Sequence, residues 1–229
     1  MSTTIVIAAL GAFILALAAF AAVRTLRQRH EENTFLEDAG FTLCPEDRDD
    51  IEILVRDMEN CADSNSFRVI RPACTYLHGR PVYFYTKARH FSTDAAPAEF
   101  QEFLFEFNRK SDLPVILYMP PVAIPESILK RVIGPMIGLC DAYKRENLVK
   151  LDLPRELQAS KLIAAYGPPG AGLYDLLTPP EISLILSGVE RGAFIFTANK
   201  DIAAVDTFSG YIDIDMHDLW AFVRTLAEN

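Results

Sequence analysis

This sequence predicts an α+β fold: one N-terminal transmembrane helix, then a single globular domain with a mainly antiparallel sheet and flanking helices. Three observations predict it. Residues 5–23 form an uncharged apolar run of 19 residues. Stretches rich in Val, Ile, Tyr and Phe come in clusters rather than alternating with helical ones, which disfavours a parallel Rossmann-type sheet. Amphipathic helical patterns stand before, between and after those clusters. The expected organisation is a transmembrane helix over 1–23, a juxtamembrane helical linker over 24–40 and a globular domain over 41–229.

The charge is divided along the chain. Of 229 residues, 22 are Lys or Arg and 31 are Asp or Glu, a net charge of -9. No acid precedes Glu31, and residues 1–30 hold three bases. The remainder therefore carries 19 bases against 31 acids, or -12. Contact with phosphate needs a basic face, so no nucleic-acid partner is expected. The 15 Phe and 8 Tyr exclude wholesale disorder.

The apolar run reads IVIAALGAFILALAAFAAV. As a helix it is about 28 Å long, just enough to cross a hydrocarbon core of about 30 Å. Lipid offers the backbone no hydrogen-bond partner, so a helix is the form it takes. It lacks the basic leader of a cleaved signal peptide and exceeds the usual apolar core of about 7–15 residues. Arg24, Arg27 and Arg29 follow as a basic collar. Positive residues stay on the cytoplasmic side, so the expected location is the cell (inner) membrane, single-pass, with the C-terminal domain cytoplasmic. Ala8, Ala12 and Ala16 recur every four residues and mark a helix-packing face for a second copy or a membrane partner. Cys44, Cys61, Cys74 and Cys140 contain no Cys-x2-Cys pair, which argues against a disulfide scaffold or a zinc site.

The linker 24–40 passes from basic to acidic and stops at Gly40. Pro45 suits a first helical position, and Ile51, Leu54, Val55, Met58 and Ala62 then fall on one helical face ending near Asp63. Residues 68–77 and 81–87 read as a hairpin joined at His78-Gly79-Arg80. Residues 100–107 and 113–119 read as two separate strands, with Phe100, Phe103, Phe105 and Phe107 as core. Helices are expected over 125–133 and 136–145, and short strands over 147–151 and 161–166. Thr178-Pro179-Pro180-Glu181 has the capping-box pattern of a helix start. A hairpin is expected around Asn199-Lys200-Asp201, and Asp215 caps a last helix carrying Leu219, Phe222, Val223 and Leu226.

The chemistry-bearing motifs are few. Tyr166-Gly167-Pro168-Pro169-Gly170-Ala171-Gly172 resembles the phosphate loop of AAA-type ATPases. Leu173 and Tyr174 stand where that loop needs Lys and Ser or Thr, so the string reads as a turn. Asp213, Asp215, His217 and Asp218 form the densest set of metal-ligand types, but Asp215 and Asp218 also suit a helix start. His78 reads as a turn residue and His90 as a strand-end residue. Cys44 precedes a helix N-terminus, which predicts a lowered thiol pKa. No cofactor and no metal is expected.

These features predict a membrane-anchored accessory or adaptor protein. Its cytoplasmic domain binds protein partners in the assembly or regulation of a membrane complex. One alternative is a membrane-tethered hydrolase or transferase with its site near Asp213, Asp215 and His217, aided by His78 or His90. The other is a small-molecule or lipid-binding module with an aromatic-lined cavity.

Overall fold

The computed structural model describes residues 3–59, 67–89, 98–119, 149–153, 155, 164–170, 172–173, 177–183, 194–207 and 215–228, some of them, including 3–14 and 108–119, by backbone alone. The chain divides into two units, Met1–Gly40 and Phe41–Asn229.

The first unit is the helix α1 (Thr3–Asp38), unbroken over 36 residues. It closes with Ala39 N–H donating to Phe35 C=O at 2.9 Å and Gly40 N–H to Glu37 C=O at 3.2 Å. Gly40 has a φ of 75°, the left-handed cap that a residue without Cβ adopts freely. Among the described residues no helix is long and apolar enough to cross a membrane. The expected transmembrane helix is thus not supported by them. Most side chains of the apolar run, Ala8 and Ala12 included, lie outside the described set.

The second unit is α+β, and among the described residues every strand pairing in it is antiparallel. Its elements are β1 (Thr42–Leu43), a 3-10 turn (Pro45–Asp47), α2 (Arg48–Glu59), β2 (Phe67–Leu77), β3 (Arg80–Arg89) and β4 (Ala98–Met119). After these come β5 (Val149–Lys150), β6 (Ala164–Gly167), β7 (Phe194–Thr207) and α3 (Met216–Glu228). The strands run β1-β2-β3-β4-β6-β5, with β7 on the other side of β4. The first half of β4 lies between β3 and β7, and its second half between β6 and β7.

The β4–β7 ribbon corrects two expectations. Residues 100–107 and 113–119 belong to one 22-residue strand, and 194–207 is one strand rather than a hairpin. The polar stretch between the two halves of β4 is absorbed as register shifts between Glu106 and Ser111 and between Ser111 and Val115. Opposite them Lys200, paired with Ser111, takes a φ of 56°. A bulge keeps the chain in the sheet where a turn was expected. The β2–β3 hairpin is as expected but tighter: Leu77 pairs with Arg80, leaving His78 (φ 51°) and Gly79 (φ 81°) as a two-residue turn. The expected helices over 125–133 and 136–145, and Ala62, lie outside the described residues.

Helices cover both faces of the sheet. On one face Ile51, Val55 and Met58 of α2 pack with Phe67, Val69, Tyr85, Leu104 and Ala204. On the other, Trp220 of α3 meets Phe41 at 4.9 Å and stacks on Phe103 at 5.7 Å and 17°, while Phe84 lies 4.9 Å from Phe103. This two-sided cover is why Phe103, Leu104 and Phe105 are all buried although successive strand residues face opposite ways.

Two polar ties hold α2 to the sheet. Glu52 Oε1 accepts Val69 N–H at 3.1 Å. Asn199, at the Lys200 bulge, donates from Nδ2 to Met58 C=O at 2.8 Å and Asp57 C=O at 3.2 Å, satisfying carbonyls of the last helical turn. Asn199→Ala strands these acceptors, one of them in a buried bond. We expect a loss of about 1–3 kcal/mol in urea unfolding, with amide exchange accelerated first along α2.

Candidate functional site

The α2 face of the sheet carries two polar clusters. The first grows from strand alternation. Tyr85 and Lys87 share a face of β3, Glu102 lies opposite Tyr85 on β4, and Asp206 lies opposite Glu102 on β7. Tyr85 Oη and Lys87 Nζ both donate to the Glu102 carboxylate. Lys87 Nζ also donates to both oxygens of Asp206 at 3.1 Å. Lys87 is 2% exposed and Glu102 0%. Burying a charge is tolerated only when it is paired and hydrogen-bonded, and each charge here is. The cluster cross-links three strands.

The second cluster is built by a bulge. Ile70 pairs with Thr86 but Ala73 pairs with Phe84, so β2 carries one extra residue at Arg71-Pro72, where Arg71 adopts a φ of 51°. The extra residue flips the face of everything after it. Cys74 is thereby opposite Tyr83, on the α2 face; in continuous register it would face α3. Cys44 N–H donates to Pro72 C=O at 2.9 Å, which draws the end of β1 onto the bulge. Asp47 N–H donates to Cys44 C=O at 3.1 Å across the 3-10 turn. The donor atoms of Cys44, Asp47 and Cys74 all lie within 4.8 Å of one another, with Cys44 buried and the other two half-buried. Two thiols and a carboxylate at that separation can hold a metal ion.

The electrostatics of Cys44 overturn the sequence expectation. Burial pushes its thiol above the usual range, and Cys74 and Asp47 add to the rise. These outweigh the pull of a helix start that begins as one short 3-10 turn. Burial, and then Asp47, Cys44 and Cys74, also push the Tyr83 phenol up from 10.0 to about 12. A phenol protonated longer in the folded than in the unfolded chain contributes stability that is complete below pH 10.0 and is lost as pH rises to about 12. Tyr83→Phe is expected to flatten that alkaline decline of the urea midpoint. An unchanged pH profile would refute it.

The residues singled out from the sequence lie elsewhere or outside the description. Asp215 caps α3, its Oδ1 accepting His217 N–H at 2.9 Å. His78 is an exposed turn residue, and His217 is exposed. His90 and Asp213 are outside the described residues. Of the collar, Arg27 pairs with Glu31 at 2.7 Å on the exposed surface of α1, Arg29 is exposed, and Arg24 is described by backbone alone. Ala16 is exposed. The capping box is present, with Thr178 N–H donating to Glu181 Oε2 at 2.7 Å. Pro168-Pro169-Gly170 is a turn after β6, with Gly170 at φ 86°. The Cys44 cluster carries no Cys-x2-Cys signature: Cys44-Pro45-Glu46-Asp47 has that spacing with a carboxylate in place of the second thiol.

No family model matches the chain, and no curated protein matches it. Among solved structures it is similar to the mycobacterial trehalose monomycolate transport factor A. The identity is 11% and the TM-score 0.47, over 87% of this chain and 92% of that one. A likeness at that level carries no conclusion about activity.

Proposed function

We propose that this protein is a single-pass membrane-anchored accessory protein. In this reading residues 5–23 sit in the cell membrane, and the acidic α+β domain lies on the cytoplasmic side. There it binds a protein partner during assembly or regulation of a membrane complex. The observation that carries it is the 19-residue uncharged run inside one unbroken helix, followed by Arg24, Arg27 and Arg29 with no acid before Glu31. Past Val23 the helix continues about 22 Å to Asp38. Residues 41–229 hold 19 bases and 27 acids, and a domain of charge -8 is repelled by anionic headgroups. Tethering also raises the effective concentration of the domain for other membrane proteins.

The test is fractionation of cells expressing the full chain. It should resist salt and alkaline washing, dissolve in detergent, and become soluble when residues 1–23 are deleted. Release by salt alone would defeat the anchor. A reporter active only in the cytoplasm, fused after Asn229, should give signal; signal from a periplasmic reporter would reverse the orientation. Detergent extraction should bring a stoichiometric membrane protein with it, and recovery of the lone chain at native expression counts against the accessory role.

A further inference from the structure

We infer that Cys44, Asp47 and Cys74 form a binding site for a divalent transition ion of the zinc class. The inference does not rest on the membrane reading.

The first support is geometric. In a tetrahedral zinc site, bond lengths of about 2.3 Å to sulfur and 2.0–2.2 Å to oxygen separate neighbouring donors by about 3.6–3.8 Å. The three donors lie within 4.8 Å of one another before any ion draws them in. Side-chain adjustment of about an ångström closes the site.

The second support is the frame. Each ligand is held by backbone structure rather than by a loose loop: Cys44 by its bond to Pro72, Asp47 by the 3-10 turn, and Cys74 by its pairing with Thr42 and Tyr83. The bulge at Arg71-Pro72 puts a non-glycine residue, Arg71, in a left-handed conformation. Its effect is to turn Cys74 toward Cys44 and Asp47.

The third support is donor chemistry. Two sulfurs select against magnesium and calcium, while the carboxylate suits a divalent ion better than copper(I). A disulfide between the cysteines would leave Asp47 without a part. On binding, two S–H bonds break, two metal–sulfur bonds form, and two protons leave to solvent. Three protein ligands leave the fourth position to water or to a ligand from solution.

The experiment uses the full chain in detergent, stripped with a chelator and titrated with Co2+ and then Zn2+. One equivalent of Co2+ should produce a sulfur-to-cobalt charge-transfer band with tetrahedral visible absorption, and Zn2+ should displace it. Cys74→Ser should about halve the band. The double change Cys44→Ser with Cys74→Ser should remove it. Asp47→Asn should keep the band and weaken Zn2+ binding by about 10-fold or more, the low end of what disturbing a metal's ligand environment costs. Asp47 and Cys74 are half-buried, so these two variants keep the test alive if Cys44→Ser fails to fold. A spectrum without the charge-transfer band, or one indifferent to both cysteines, overturns the inference. So does a peptide map of protein isolated with thiols blocked in which Cys44 and Cys74 carry no blocking group and are joined as a disulfide.

Discussion

Lys87→Met should destabilise the second unit by about 3–5 kcal/mol, because it leaves Glu102 and Asp206 facing each other without their cation. Glu102 is fully buried, so water cannot replace the ammonium there, whereas Asp206, with a side-chain exposure of 16%, keeps some contact with solvent. Domains of this size are stable by about 5–15 kcal/mol, so the variant keeps only part of its margin at neutral pH. Urea unfolding of the full chain in detergent, followed by Trp220 fluorescence, reads the loss directly. The double change Lys87→Met with Glu102→Gln should recover part of it, because the second change removes one stranded charge. If Lys87→Met costs no more than an exposed lysine-to-methionine change, the buried network has been misread. An equal loss in single and double variants would place the cost in packing rather than in charge.

Phe103→Ala is expected to cost about 3–5 kcal/mol, the range for removing a fully buried aromatic ring. Phe103 is 0% exposed and touches Phe41, Phe84 and Trp220. Its removal opens a cavity at the centre of the α3 face and takes away the ring on which Trp220 is stacked. Trp220 is the one tryptophan in the chain, so its emission should shift as the cavity admits solvent. Ile53→Ala, at a position 54% exposed on α2, is the control and should stay within about 0.5 kcal/mol of the parent. A small loss at Phe103 would mean that α3 does not pack on this face.

Both effects depend on neighbours that local sequence does not announce. Phe103 was legible as core because an aromatic strand residue has few other places to go. Its stacking on a tryptophan more than a hundred positions later was not. Lys87 gave no signal: it ends the VYFYT strand as an ordinary charged residue, and its partners lie 15 and 119 positions away. The Cys44 site failed to show for a related reason. A register shift of one residue decides which face Cys74 occupies, and the pattern around Arg71-Pro72 does not say whether the extra residue is bulged out or paired.

The sequence by itself determined the features that close within about four residues. The apolar stripe of α2, the His78-Gly79 turn, the Thr178–Glu181 capping box, the Asp215 cap and the α+β class were all readable. In all but the class, the interacting groups are chain neighbours and helix or turn geometry favours one arrangement; the class follows from the order of these local patterns. Only the tertiary structure decided the joining of 98–119 into one strand, the bulge at Lys200, the Lys87–Glu102–Asp206 network and the meeting of Cys44, Asp47 and Cys74. Each of these depends on strand register. Register is chosen by the packing of α2 and α3 against the whole sheet, and a side chain's face reverses with every residue of slip.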